Sequence, residues 1–213
     1  MRRLPVYLLI DVSYSMSGEP LNAVQNGVEK LASELRKNPH ALETAYLSIL
    51  TFADDAKVDV PLTELPIFQT PTFKTRGMTA LGKGLEEVSK RIAIEVKKTT
   101  TGQKGDWKPL VFIMTDGAPT DKWRNGLAEF KKANTGIVVA CAAGQGADTS
   151  VLQEITPNVV KLSTADEESI GEFFKWVSAS VEVSSTKVES SGQQTDNFGE
   201  LPPPPKGIDL VKY

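Results

Sequence analysis

The 213-residue chain has one cysteine and one histidine. One cysteine excludes an internal disulfide framework and a multi-cysteine zinc site, and it fits a reducing compartment. One histidine leaves little material for a hydrolytic triad. Basic charge is not in excess either, because 24 Lys and Arg face 27 Asp and Glu for a net charge of −3. We therefore expect no nucleic-acid partner and no catalytic residues of the triad kind.

Long apolar runs are also missing. The run Leu4–Ile10 looks like part of a signal peptide, but Asp11 ends it and no small-residue cleavage site follows. No later run approaches the roughly 20 apolar residues that span a bilayer. We expect a cytoplasmic protein with no membrane association.

Apolar runs of strand length alternate with segments of helical spacing. The predicted strands are Val6–Ile10, Tyr46–Phe52, Ala56–Val60, Leu110–Met114, Ile137–Ala142 and Val159–Leu162. The predicted helices include Leu21–Leu35, Leu81–Val96, Leu127–Ala133, Val151–Ile155 and Ile170–Val181. This order predicts an α/β, Rossmann-like fold, with a mostly parallel sheet of six strands covered by helices on both faces. One strand is antiparallel, because Asp54 and Asp55 form a hairpin turn.

The composition changes at residue 184. We expect a domain over residues 1–183 and a Ser/Gln/Pro-rich tail over residues 184–213, in which Pro202–Pro205 favours a stiff polyproline II rod. The end of the tail is more apolar than a spacer needs. We therefore expect it to be a docking element through Ile208, Leu210, Val211 and Tyr213.

Polar side chains follow two of the predicted buried strands. Asp11, Ser13 and Ser15 alternate after the first strand, so they can point the same way, and Asp116 follows the fourth strand. Thr79 precedes a predicted helix as its expected N-cap and could reach the same edge of the sheet. Carboxylate and hydroxyl oxygens without thiolate or imidazole suit Mg²⁺ or Mn²⁺ better than zinc or copper. Two carboxylates with three neutral hydroxyls form a low-charge shell for a hard dication, so we expect the site to keep waters or an open position that an external carboxylate could fill.

These five positions resemble the metal-ion-dependent adhesion site of the von Willebrand factor A (VWA) domain in residue type and order. The resemblance implies a VWA fold, and Mg²⁺ as the metal, with Mn²⁺ or Ca²⁺ as substitutes. It also implies that Ser13, Ser15 and Thr79 bind the metal directly while Asp11 and Asp116 act through water. A partner protein would supply an Asp or Glu to the open position.

The chain resembles more narrowly the TerY-type proteins of bacterial tellurium-resistance gene clusters, through Pro5–Asp11, Thr115–Asp121 and Leu201–Pro205. This resemblance implies partners such as a PP2C-type phosphatase or a kinase-like protein of the same gene cluster. Some relatives carry a zinc-ribbon module, which a chain with one cysteine lacks.

The function that these observations favour is a non-enzymatic, Mg²⁺-dependent protein-binding module that assembles a tellurium-resistance or stress-response signalling complex. Two alternatives stay open. Asp11 could be the nucleophile of a metal-dependent phosphotransferase or phosphatase, although such enzymes usually have a second carboxylate where Ser13 stands. The chain could also be a structural subunit whose metal is incidental. Gly77–Lys83 resembles a P-loop but lacks its final Ser or Thr, so we expect no nucleotide site there.

Three single residues have simpler interpretations. We expect His40 to be solvated in a loop and Cys141 to be an inert core residue. For Trp123, near Asp116 in sequence, core packing and exposure beside the site stay equally open.

Overall fold

The computed structural model describes residues 2–211. Its strands are β1 (Leu4–Asp11), β2 (Ala45–Phe52), β3 (Ala56–Glu64), β4 (Leu110–Thr115), β5 (Val138–Ala143), β6 (Val159–Leu162) and β7 (Ile208–Leu210). Its α-helices are α1 (Glu19–Lys37), α2 (Pro39–Thr44), α3 (Leu81–Glu95), α4 (Trp123–Phe130), α5 (Thr149–Ile155) and α6 (Glu167–Ser190). Short 3₁₀ helices span Tyr14–Met16 and Phe198–Glu200.

The strands form one sheet in the order β3-β2-β1-β4-β5-β6-β7. The five central strands are parallel, and β3 and β7 are antiparallel edge strands. The predicted α/β class, the mostly parallel sheet and the hairpin of β2 and β3 are confirmed. The sheet has seven strands instead of six, because the tail adds β7, which is too short to show an alternating pattern.

Strand β1 is buried on both faces of the sheet. Val6, Leu8 and Ile10 belong to the apolar cluster that includes the buried faces of α1 and α6. Tyr7 and Leu9 belong to the second cluster, which includes those of α3, α4 and α5. Burial on both faces explains the continuous apolar run at this strand. None of the helices in residues 2–211 is both long and apolar enough to cross a membrane.

A short helix, α2, lies where the sequence indicates a loop. The Asn38 side chain caps it by accepting a hydrogen bond from the backbone N–H of Ala41 at 3.1 Å. His40 is therefore helical, and its Nδ1 lies 2.5 Å from a carboxylate oxygen of Glu189 on α6. The expectation of a loop at His40 is wrong, whereas the expectation of a solvated side chain holds in part, because the side chain is 43% exposed. Six residues are too few for a helical period to be read from the sequence.

Helix α6 continues seven residues beyond the expected domain boundary at residue 183, to Ser190. Ser184 and Ser185 lie fully buried in this extension, and Val188 joins the first apolar cluster. Two small hydroxyl residues therefore occupy the buried face of the last turns. Apolar periodicity stops there although the helix does not.

The tail folds back onto its own domain. The indole N–H of Trp176 donates a hydrogen bond to the carbonyl oxygen of Pro202 at 2.7 Å. Ile208 is 6% exposed in the first apolar cluster, while Leu210 is 45% exposed. Ile208, one of the apolar tail residues predicted to form a docking element, thus packs into the chain's own core. Tyr213 lies outside the described residues.

We expect Ile208→Ala to lower the free energy of unfolding by about 2–4 kcal/mol, because it deletes buried methyl and methylene groups. Leu210→Ala, two residues away and half exposed, is the matched control and should cost less than about 0.5 kcal/mol. Urea unfolding of the two variants measures the difference. Equal midpoints for both variants and the wild type would show that β7 does not contribute to the core.

Candidate metal centre

The edge of the sheet where β1 and β4 end is a topological switch point. After β1 the chain forms β2 on one side, and β4 pairs with the other side of β1. Loops that leave neighbouring strands in opposite directions open a crevice, which is where ligands bind in doubly wound sheets. Asp11 is the last residue of β1, and Asp116 follows Thr115, the last residue of β4.

Four of the five predicted site residues are in direct contact at this crevice. The Ser13 and Ser15 hydroxyl oxygens lie 3.0 Å apart. The Ser15 hydroxyl donates to Oδ1 of Asp116 at 2.7 Å, and the backbone N–H of Ser13 donates to Oδ1 of Asp11 at 2.8 Å. The structure therefore brings the two sequence segments together as the strand-end pattern predicts.

Thr79 lies on the adjoining loop and is nearly buried. Its backbone pairs with Thr120: the Thr120 N–H donates to the Thr79 carbonyl oxygen at 2.9 Å, and the Thr79 N–H donates to Oγ1 of Thr120 at 3.2 Å. The Thr79 hydroxyl lies 3.5 Å from the position that a Cβ would occupy on Gly117. The fifth predicted residue is thus fixed beside the loop that carries Asp116.

Thr79 is not the N-cap of α3, which corrects the expectation from sequence. Ala80 occupies that position without a side-chain cap. The backbone N–H groups of Gly82 and Lys83 donate instead to the carboxylate of Asp121, at 3.2 and 3.1 Å. Asp121 lies on the loop after β4, so a contact distant in sequence satisfies the start of α3.

Two residues of the site region were missed by the sequence analysis. The Thr115 hydroxyl donates to Oδ2 of Asp11 at 2.5 Å, so both carboxylate oxygens of Asp11 accept a hydrogen bond. Asp54, predicted as a turn residue, also accepts the backbone N–H of Met78 at 2.8 Å. Thr115 shares the Thr-Asp-Gly sequence with Asp116, which is the one signal that could have identified it.

The electrostatics of the site favour a cation. Asp11 is 0% exposed, and burial raises the pKa of its carboxyl group, as does the charge of Asp116, while the hydrogen bonds from Ser13 and Thr115 lower it. Burial likewise raises the pKa of Asp116. Within residues 2–211 neither carboxylate has a Lys or Arg partner among the ion pairs. Two partly desolvated carboxylates without a counter-charge form a site that a cation would stabilise.

The donor set decides which cation fits. The described part of the chain contains no group of three or more His, Cys, Asp or Glu side chains that could hold a metal ion. Asp11 and Asp116 therefore do not form a carboxylate cage by themselves, and the hydroxyl oxygens of Ser13 and Ser15 are further side-chain donors at this crevice. Carboxylate and hydroxyl donors fit a hard divalent cation.

Trp123, whose role the sequence analysis left open, and Cys141, for which it expected no function, both lie in the core. Trp123 is buried and packs closely against α3, since a Cβ added to Gly82 of α3 would lie only 2.6 Å from the Trp123 Cα. Core packing is therefore the correct interpretation of this residue. Cys141 is fully buried in β5, and burial raises the pKa of its thiol. The expectation of an inert core cysteine is confirmed.

The fold and the crevice define an α/β domain with a candidate centre for a divalent metal. The family model of the von Willebrand factor type A domain matches residues 6–176, and the chain belongs to this family. The adhesion-site motif of the family binds a divalent metal, and its members typically bind protein partners through it. No curated protein matches the chain.

Solved structures share the fold at low identity. Proximal thread matrix protein 1 from the mussel byssus, in a form with a zinc-occupied adhesion-site motif, is 18% identical, with a TM-score of 0.60 over 84% of this chain and 48% of its own. A von Willebrand factor type A protein from Catenulispora acidiphila is 13% identical, with a TM-score of 0.67 over 85% and 43%. The pilus adhesin SpaC from Lactobacillus rhamnosus GG is 14% identical, with a TM-score of 0.65 over 86% and 31%. The chain thus spans less than half the length of each.

Proposed function

We propose that the chain is a non-enzymatic protein-binding module that works through Mg²⁺, with Mn²⁺ or Ca²⁺ as substitutes. Ser13, Ser15 and Thr79 would bind the metal directly, and Asp11 and Asp116 would act through water. The observation that supports this best is the buried Asp11 carboxylate, which lies beside Asp116 without a counter-charge. When bound, the metal supplies a positive charge at the edge of the sheet for an external carboxylate.

The partner group should be an acidic side chain. The three proposed direct ligands are neutral hydroxyls, and the two carboxylates would act only through water, so an anionic oxygen at the open position is favoured over a neutral one. The exposed hydroxyl of Ser15 and the half-buried Asp116 lie on the solvent side of the site, so a partner can approach from there. We propose that an Asp or Glu of the partner binds there.

The geometry disfavours the enzymatic alternative. A nucleophilic aspartate needs an accessible carboxylate oxygen, but Asp11 is fully buried and both of its oxygens accept hydrogen bonds. Ser13 also occupies the place of the second carboxylate. Hydrolysis of a phosphomonoester such as p-nitrophenyl phosphate should therefore be absent with and without Mg²⁺, and turnover that Asp11→Asn removes would support the enzyme instead.

The narrower resemblance to TerY-type proteins leads to a proposed setting. We propose that the chain assembles a tellurium-resistance or stress-response complex in the cytoplasm, with a PP2C-type phosphatase or a kinase-like protein as partner. In the same proposal residues 1–183 form the binding domain, and residues 184–213, whose described part packs against that domain through the end of α6 and β7, are an appendage instead of a second domain. Two of the three segments that carry this resemblance, Pro5–Asp11 and Thr115–Asp121, include the two carboxylates of the site.

A pull-down with the purified candidate partner tests the function. We expect the complex to form in Mg²⁺ and to be lost in EDTA, since the partner's carboxylate would then face only water. Changing one exposed Asp or Glu of the partner to Asn or Gln should reproduce the effect of EDTA. Phosphatase treatment of the partner should leave the complex intact, which distinguishes a carboxylate from a phosphate. Unchanged binding in EDTA would contradict the metal-dependent mechanism and support a structural subunit.

A further inference from the structure

Two exposed apolar side chains lie on the loops that carry the proposed metal ligands. Tyr14 stands between Ser13 and Ser15 and is 66% exposed, and Met78 precedes Thr79 and is 57% exposed. The other large exposed apolar side chains among residues 2–211 are not adjacent in sequence to a proposed ligand: Leu42, Ile67, Ile94, Val183 and Leu210.

Hydrogen bonds hold the backbone of both residues in place. The Tyr14 N–H donates to the carbonyl oxygen of Gly77 at 3.1 Å, which joins the two loops directly beside Met78. The Met78 N–H donates to Asp54 at 2.8 Å. Gly77 has a φ of +58° and packs against the Asp54 carboxylate, a conformation and a contact that a side chain there would not permit. The two side chains are thus presented by fixed backbone.

Neither side chain packs into the apolar core of the described residues. Both lie outside the two apolar clusters, and the Tyr14 hydroxyl forms no hydrogen bond within residues 2–211. Met16, two residues after Tyr14, is fully buried and anchors the 3₁₀ helix. Met16 therefore anchors this turn in the core, and the exposed Tyr14 side chain is accessible to a ligand.

We propose that Tyr14 and Met78 form an apolar patch that binds an apolar side chain next to the partner's acidic residue. This inference rests on the proposed function, because the patch adjoins the site at which the carboxylate would bind. If a partner bound through the metal alone, only the charge of its carboxylate would be recognised, and different carboxylates would bind with nearly the same affinity. An aromatic ring and a flexible thioether beside it add a preference for an acidic residue with an apolar neighbour.

Two small carboxylates isolate the contribution of the patch. Acetate carries only the acidic group, whereas 3-phenylpropionate adds an apolar ring. Titration into the ¹⁵N-labelled, Mg²⁺-loaded full chain, followed by amide NMR shifts of residues 13–16 and 77–79, gives both affinities. We expect 3-phenylpropionate to bind about tenfold more tightly, because the ring becomes partly buried against the patch.

Variants attribute the preference to the patch. Tyr14→Ser with Met78→Ser should reduce the affinity ratio of the two probes to about one, while acetate and Mg²⁺ bind as in the wild type. Tyr14→Phe with Met78→Leu should retain the preference. Ile67→Ser, which removes an equally exposed apolar side chain beyond β3, is the matched control and should change nothing.

Each outcome decides the inference. A wild-type ratio near one, or a preference that survives in the double serine variant, would overturn the patch while the metal site stands. Failure of both carboxylates to bind in a Mg²⁺-dependent way would overturn the proposed function and the patch together.

Discussion

Asp11→Asn is expected to abolish Mg²⁺ binding without unfolding the protein. Asparagine keeps the shape of the side chain and an oxygen for the Ser13 N–H, but it removes the buried charge that we propose holds the cation. At 100 times its dissociation constant Mg²⁺ should stabilise the wild type by about 2.7 kcal/mol, which corresponds to a rise in Tm of about 5–10 °C. The variant should show no rise.

The metal-free state gives an independent readout of the same change. Burial and the charge of Asp116 raise the pKa of Asp11, so its ionised form is destabilised in the fold. A neutral amide removes that cost, and the metal-free variant should melt at or above the wild-type Tm. Asp209→Asn, on the exposed edge of β7, is the charge-matched control and should bind Mg²⁺ normally. Undiminished binding by Asp11→Asn would contradict the site assignment.

Gly126→Ala is expected to be the most destabilising single-methyl change in the chain. A Cβ on Gly126 would lie 2.0 Å from the carbonyl oxygen of Gly82, where α4 crosses α3. The obstacle is backbone, so the helices must move apart, at a cost of about 3 kcal/mol and about 10 °C in Tm. Gly82 lies in the first turn of α3, three residues after Thr79, so Mg²⁺ affinity should fall as well.

Gly171→Ala is the matched control for this change. Gly171 lies inside α6 with nothing within 4 Å of its added Cβ, so alanine there should raise stability by about 0.5–1 kcal/mol. Differential scanning calorimetry of both variants provides the comparison. A Gly126→Ala protein that melts within a degree of the wild type would show that the two helices do not pack as closely as the structure places them.

The sequence predicts those parts of the fold whose burial is continuous or periodic. Strands β1 and β4 are buried on both faces, so each appears as an apolar run that ends at a polar residue. Parallel strands bring such ends to one edge of the sheet, and the contacts of Asp11, Ser13, Ser15 and Asp116 follow from that rule.

The parts that could not be predicted depend on contacts distant in sequence. Asp121 caps α3 from the loop after β4, which no local motif indicates. Ser184 and Ser185 are buried where apolar residues would be expected, so the end of α6 shows no period. Strand β7 depends on pairing with β6 and has no local signal of its own. In each case a contact with residues distant in sequence determines the local structure, and the sequence of the segment alone does not.

The most direct test of the account is a crystal of the full chain soaked in Mn²⁺ and measured at an energy where manganese scatters anomalously. The account predicts one strong anomalous peak at the carboxyl ends of β1 and β4, within bonding distance of the Ser13 and Ser15 hydroxyl oxygens, and its loss in Asp11→Asn crystals. The absence of a peak there, or a peak only at exposed carboxylates elsewhere, would contradict it.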